Sequence, residues 1–128
     1  MRVPLGAPLA KIGASFSQQL AVYNRGMALI GEIQAKFARD EFEFSKHATD
    51  QSLLREISVQ EIREAVSVGE IIEDYPQDKY GPSCLILGFT QANRPLHVQC
   101  SYPLHPIVKV ITIYEPNPTD WVDYRVRR

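Results

Sequence analysis

His47, Gln51 and Arg55 recur at i, i+4 and i+8, so on a helix an imidazole, an amide and a guanidinium line up along one side, where the row could address a phosphate. His47 falls in that helix's first turn. There the positive end of the macrodipole disfavours the imidazolium and leaves a neutral imidazole able to act as a base. The same row also reads as an exposed polar stripe. A second grouping comes from strict alternation in 96–101, where His97, Gln99 and Ser101 share one face and Leu96, Val98 and Cys100 the other. Thr112 and Tyr114 fall opposite Ile111 and Ile113 in the same way. A sheet face bearing His, Gln, Ser, Thr and Tyr is either a ligand surface or an ordinary solvated one. The polar loop 76–83, shaped by Gly81 and Pro82, brings Tyr75, Lys79 and Tyr80 as ligand contacts, as a lid or a base-stacking rim, or serves only to join two strands.

Metal chemistry finds little support, because His47, His97 and His105 are scattered and no HExxH or aspartate cluster occurs. Neither GxSxG, a P-loop nor GxGxxG is present. Metal-free acid–base chemistry or binding remains. Cys84 and Cys100 lack CxxC spacing and fall among aliphatic residues, as reduced core thiols do.

The elements that must position these groups are delimited by punctuation. Ser45 can N-cap a helix over 46–55, and the capping box Ser58-Val-Gln-Glu61 opens a second helix that Gly69 can close. Strand signals follow at 70–75, 83–90, 96–101 and 107–114, the last three joined by hairpin-length loops. Helices grouped before strands predict an α+β fold with a four-stranded, mainly antiparallel sheet covered by helices on one face. Ahead of them, Leu9, Ile12, Phe16, Leu20, Tyr23, Met27, Ile30, Ile33 and Phe37 follow one another every three or four residues, averaging 3.5. This heptad period predicts a long helix whose seam over 9–37 packs on the chain's own sheet, on a partner chain or on its own copy.

A chain of 128 residues with 45% hydrophobic and 23% charged residues holds one ordinary core and is not bulk disorder. The formal charge of −1 supplies no basic excess to force the protein onto a phosphate backbone. By part, residues 1–44 carry five bases and four acids, and residues 45–128 nine bases and eleven acids. No apolar run approaches a membrane span, so no membrane and a cytoplasmic location are expected; the basic, acid-free 1–31 also shares its composition with transit peptides.

From residue 42 onward the chain resembles a bacterial family known as a domain of unknown function, number 4258. The resemblance is carried by Phe44-Ser-Lys-His-Ala48, Arg55 with Ile57-Ser58, the stretch from Gly69 to Pro76, the stretch from Pro82 to Phe89, Arg94-Pro-Leu-His-Val98, and Ile111-Thr-Ile-Tyr-Glu-Pro116 followed by Trp121. It divides the chain into a helical extension, 1–41, and an α+β domain, 42–128. At fold level the family resembles RelE-like and MqsR-like toxin endoribonucleases, of RelE/barnase-like architecture, and its members look like partners of a small antitoxin carrying a zinc-binding domain. The resemblance implies metal-independent RNA cleavage through a cyclic phosphate. His97 is the first choice of base or acid and His47 the second, with Tyr114 as proton donor or stacking ring. Arg55 is the phosphate cation, Lys79 and Arg94 stand in for it, and Tyr80 and Gln99 complete the substrate contacts. Glu56 stands where the family usually has Gly and puts an acid beside Arg55. The competing expectation is a non-catalytic subunit that binds a partner through the N-terminal helix.

Overall fold

The computed structural model describes residues 3–4 and 16–128. Helix α1 (Phe16–Ala38) ends in a turn with Asp40 at φ 59°, and the chain enters strand β2 (Phe42–Phe44). Leu9 and Ile12, the first two seam positions, lie outside the described residues. Ser45 then caps α2 (Lys46–Leu54) by accepting from the Ala48 amide. Ser58 and Glu61 form the expected reciprocal capping box of α3 (Val59–Ser67). Between these two helices Glu56 adopts φ 53°, a left-handed conformation that suits glycine better than a glutamate.

Strands β3 (Glu70–Tyr75), β4 (Ser83–Phe89), β5 (Pro95–Ser101) and β6 (Val108–Tyr114) form the expected antiparallel meander. The fold is α+β, but the sheet is larger and mixed. Two-residue β1 (Val3–Pro4) pairs antiparallel with β3, and β2 pairs parallel with β6, giving the order β1-β3-β4-β5-β6-β2. Strands of two and three residues have no room for a recognisable alternation, which is why the sequence pattern ended at four. A separate hairpin, β7 (Trp121–Val122) and β8 (Val126–Arg127), follows. Its turn places Asp123 and Tyr124 at φ 53° and 61°, with the Arg125 amide donating to the Val122 carbonyl, the type I′ geometry that matches strand twist.

The three helices cover one sheet face, where Cys84, Ile86, Leu96, Val98, Cys100, Val110 and Ile113 meet Ile33, Phe37, Ala48, Ile62, Ala65 and Val66. Both cysteines are buried free thiols there. Helix α3 lies so close that a Cβ on Gly88 would fall 1.8 Å from the Ala65 carbonyl oxygen; only glycine allows this approach. The seam of α1 divides within the helix. Ile30, Ile33 and Phe37 are buried in this core, whereas Leu20 and Met27 are about half exposed.

A bulge between Gln99 and Cys100 in the pairing with β6 makes Ile111 the extra residue. Val110 and Ile113 therefore both reach the helical core, and Thr112 and Tyr114 keep the opposite face. Beyond β2, α2 takes over the edge of β6. The Ser45 amide donates to the Val110 carbonyl and its hydroxyl to the Ile111 carbonyl. The Ile113 amide donates to Gln51 Oε1 at 2.8 Å, and Arg55 donates to the Ile113 carbonyl at 2.9 Å.

Candidate functional site

The second sheet face is built in rows fixed by strand register. Glu73, Leu85, Gln99 and Thr112 stand side by side across β3 to β6, and Leu87, His97 and Tyr114 form the next row. The C-terminal hairpin covers the second row. Trp121 packs edge-on against His97 with centroids 4.4 Å apart, and Ile72, Leu85, Leu87 and Trp121 make a small second core joined by Phe89 and Tyr124. The first row stays partly open as a cleft of about 460 Å³ lined by Tyr75, Asp78, Leu85, Gln99, Thr112, Tyr114 and Arg127.

His97 is completely buried rather than presented on a solvated face. Its Nε2 lies 2.7 Å from the Tyr124 carbonyl oxygen and its Nδ1 lies 3.0 Å from the Tyr114 hydroxyl. A carbonyl only accepts, so Nε2 carries the hydrogen. Burial pushes the pKa down to about 4, so the ring is neutral at physiological pH, and Nδ1 is left to accept from the Tyr114 hydroxyl. Tyr114 lines the cleft while its proton is directed inward.

Arg127 supplies the cleft's cation. Its Nε and Nη2 donate to both oxygens of buried Glu73 at 2.9 and 3.2 Å, and the guanidinium lies 4.6 Å from the Trp121 ring centroid. Tyr75 donates to the same carboxylate. Burial opposes the charge on Arg127, but the Glu73 bonds prevail and raise its pKa. At the other end, Gln99 donates to the buried Ser83 hydroxyl at 3.2 Å, which donates to Asp78 Oδ2 at 3.1 Å. One arginine facing Asp78 and Glu73 makes the cleft dipolar rather than strongly basic.

The other predicted site residues are distributed around the fold. Of the row on α2, His47 is exposed at the helix start, Gln51 is buried against β6, and Arg55 holds the Ile113 carbonyl. Two members of this expected phosphate row therefore close a sheet edge. Arg94 is a staple: it pairs with Glu115 at 2.7 Å and Glu61 at 3.0 Å and donates to the carbonyls of Glu56 and Arg55. The Glu115 bond leads in raising its pKa. Lys79 and Tyr80 are exposed on the loop next to Asp78, with Lys79 Nζ 5.3 Å from the Tyr80 ring centroid. Thus Gln99 and Tyr114 meet in the cleft with His97 directly behind. Sequence reasoning missed Arg127, Glu73 and Trp121. Glu73 had only its unusual place in an apolar strand as a signal, and nothing local tied it to a residue more than fifty positions away.

Among the described residues, no group of three His, Cys, Asp or Glu side chains is placed to hold a metal ion. No helix among them is long and apolar enough to cross a membrane.

No curated protein matches the chain, and no solved structure does. One family model, described as a domain of unknown function (DUF4258), matches residues 44–115. That segment runs from the end of β2 through β6 and includes every predicted site residue, whereas α1 and the C-terminal hairpin with Arg127 fall outside it. Covering more than half of the sequence, the match shows that this chain belongs to the DUF4258 family.

Proposed function

We propose that the chain is a toxin-type endoribonuclease whose active site is the cleft between the sheet and the C-terminal hairpin. The carrying observation is the Tyr114 hydroxyl bound to the neutral His97 ring in the same cleft as a firmly held guanidinium. The ribose 2′-hydroxyl donates to Tyr114 Oη, and as the 2′-oxygen attacks phosphorus its proton passes to Tyr114 while the phenol proton moves to His97 Nδ1. Arg127 stabilises the charge on the phosphorane oxygens. The P–O5′ bond breaks, a water gives its proton to the departing oxygen, and the hydroxide so formed takes the proton back from His97 through Tyr114, leaving a 2′,3′-cyclic phosphate and the neutral His97–Tyr114 pair. The hydroxyls of Tyr75, Thr112 and Tyr114 and the Gln99 amide that line the cleft agree with this reading.

The test incubates the purified protein with defined RNA in EDTA and examines product ends. Cyclic-phosphate ends, with cleavage reduced about 100-fold or more by Tyr114→Phe or Arg127→Ala, are expected. Intact RNA overturns the proposal. Because His97 stays neutral well below pH 6, the rate should lack an inflection between pH 6 and 7. An inflection there would mark an ordinary exposed imidazole as the base and remove Tyr114 from that role.

A second reading has its own observation, the exposed Leu20 and Met27 on the half of α1 beyond the core. On this reading the helix binds a partner chain, a second copy or an antitoxin. Replacing both residues with Glu should abolish assembly and leave the fold intact; assembly that survives the change refutes it. Deleting residues 1–39 is no substitute, since it also removes Ile33 and Phe37 from the core.

A further inference from the structure

We infer that the Asp78 end of the cleft is a guanine subsite, an assignment that rests on the RNA reading of the same cleft. Three rows of the sheet define the geometry. Ser83 lies four residues along β4 from Leu87, the row mate of His97 and Tyr114, so the two ends of the cleft are about 13 Å apart at the backbone. The cleft between them, about 460 Å³, runs past Leu85, and Arg127 enters it from its anchor on Glu73 in the middle row. A phosphate held by Arg127 and Tyr114 therefore directs its base toward Asp78.

The chemistry at that end is specific. The chain of donors from Gln99 to Ser83 to Asp78 fixes the carboxylate from beneath through a fully buried hydroxyl, and giving an N–H to Ser83 turns the Gln99 amide. A carboxylate only accepts. Guanine alone among the four RNA bases offers two adjacent donors, N1–H and the 2-amino group, on its Watson–Crick edge, and so pairs with a carboxylate through two parallel bonds. Uracil offers one donor flanked by two carbonyl oxygens that the carboxylate repels. Adenine and cytosine set an acceptor nitrogen beside their amino group. A prearranged acceptor pair thus selects by leaving the wrong base unpaired or repelled, a stronger discrimination than shape alone provides.

Calorimetric titration of the full chain with guanosine 3′-monophosphate and uridine 3′-monophosphate tests the assignment. The guanine nucleotide should bind about tenfold more tightly or better, the ratio a bidentate contact yields. Asp78→Asn, which preserves shape and the Ser83 contact, should bring the two affinities within about twofold by weakening only the guanine nucleotide. Equal affinities in the unaltered protein, no binding of either nucleotide, or a guanine preference that survives Asp78→Asn would each overturn the subsite. The nuclease reading fails separately: a protein that prefers the guanine nucleotide yet leaves RNA intact loses the cleavage reaction and keeps the subsite.

Discussion

The two faces of the central sheet are covered by different means. One carries three helices over aliphatic side chains, packed until Gly88 touches the backbone of α3. The other carries a two-stranded hairpin over the row of His97 and leaves part of the next row, which begins with buried Glu73, open. Apolar surface needs only contact, so the helical face can be sealed everywhere. Buried polar groups need partners, so the hairpin face is organised as discrete pairs, His97 with Tyr114 and Tyr124 and Glu73 with Arg127. Incomplete cover follows from a hairpin of this size and makes the cleft.

The sharpest way to break this contrast is Gly88→Ala. The added methyl must push α3 off the sheet, and urea unfolding should show a loss of about 4 kcal/mol. Next comes acid. The His97 pKa lies near 4 in the folded chain and near its ordinary value when unfolded, so the unfolded chain binds the extra proton between those limits. Stability is fully present above about pH 6.5 and falls by roughly 3 kcal/mol as pH drops toward 4. Hydrogen exchange should quicken first at the hairpin amides and leave the helical core protected. Uniform exchange across both faces would show that the faces are not energetically separate. His97→Gln should flatten the part of this dependence between pH 6.5 and 5. The smallest expected effect is that of Glu73→Gln, which weakens the pairing with a half-exposed arginine and should cost about 1 kcal/mol, read as a drop in melting temperature with α2 and α3 unchanged.

The helical face was legible in the sequence because each of its elements announces itself locally. Ser45 and the Ser58–Glu61 box cap the helices, and period-2 alternation in 96–101 sorted Val98 and Cys100 from His97 and Gln99 correctly. Alternation could not reveal that the polar row lies beneath Trp121, because the hairpin's docking is a contact between distant segments and His97 looks the same when solvated or buried. The row on α2 misled for a related reason. Helical spacing put Gln51 and Arg55 on one side, but the spacing is silent about what that side meets, and it meets the unpaired edge of β6. In the last strand alternation placed Thr112 and Tyr114 opposite Ile113 as observed, and only Ile111, the extra residue of the bulge, departs from it.

That same contact gives Arg55 and Gln51 a consequence for how the protein behaves in solution. An open strand edge is a template on which other chains can add, and a mixed sheet of this kind has two. One ends in β1, where Pro4 offers no amide hydrogen; the other ends in the three residues of β2, and past them the edge of β6 is closed at Ile113 by a glutamine and an arginine instead of by more backbone. Side chains thus act as a cap against fibrous growth, and loss of Arg55 would be felt first as aggregation of an otherwise folded protein.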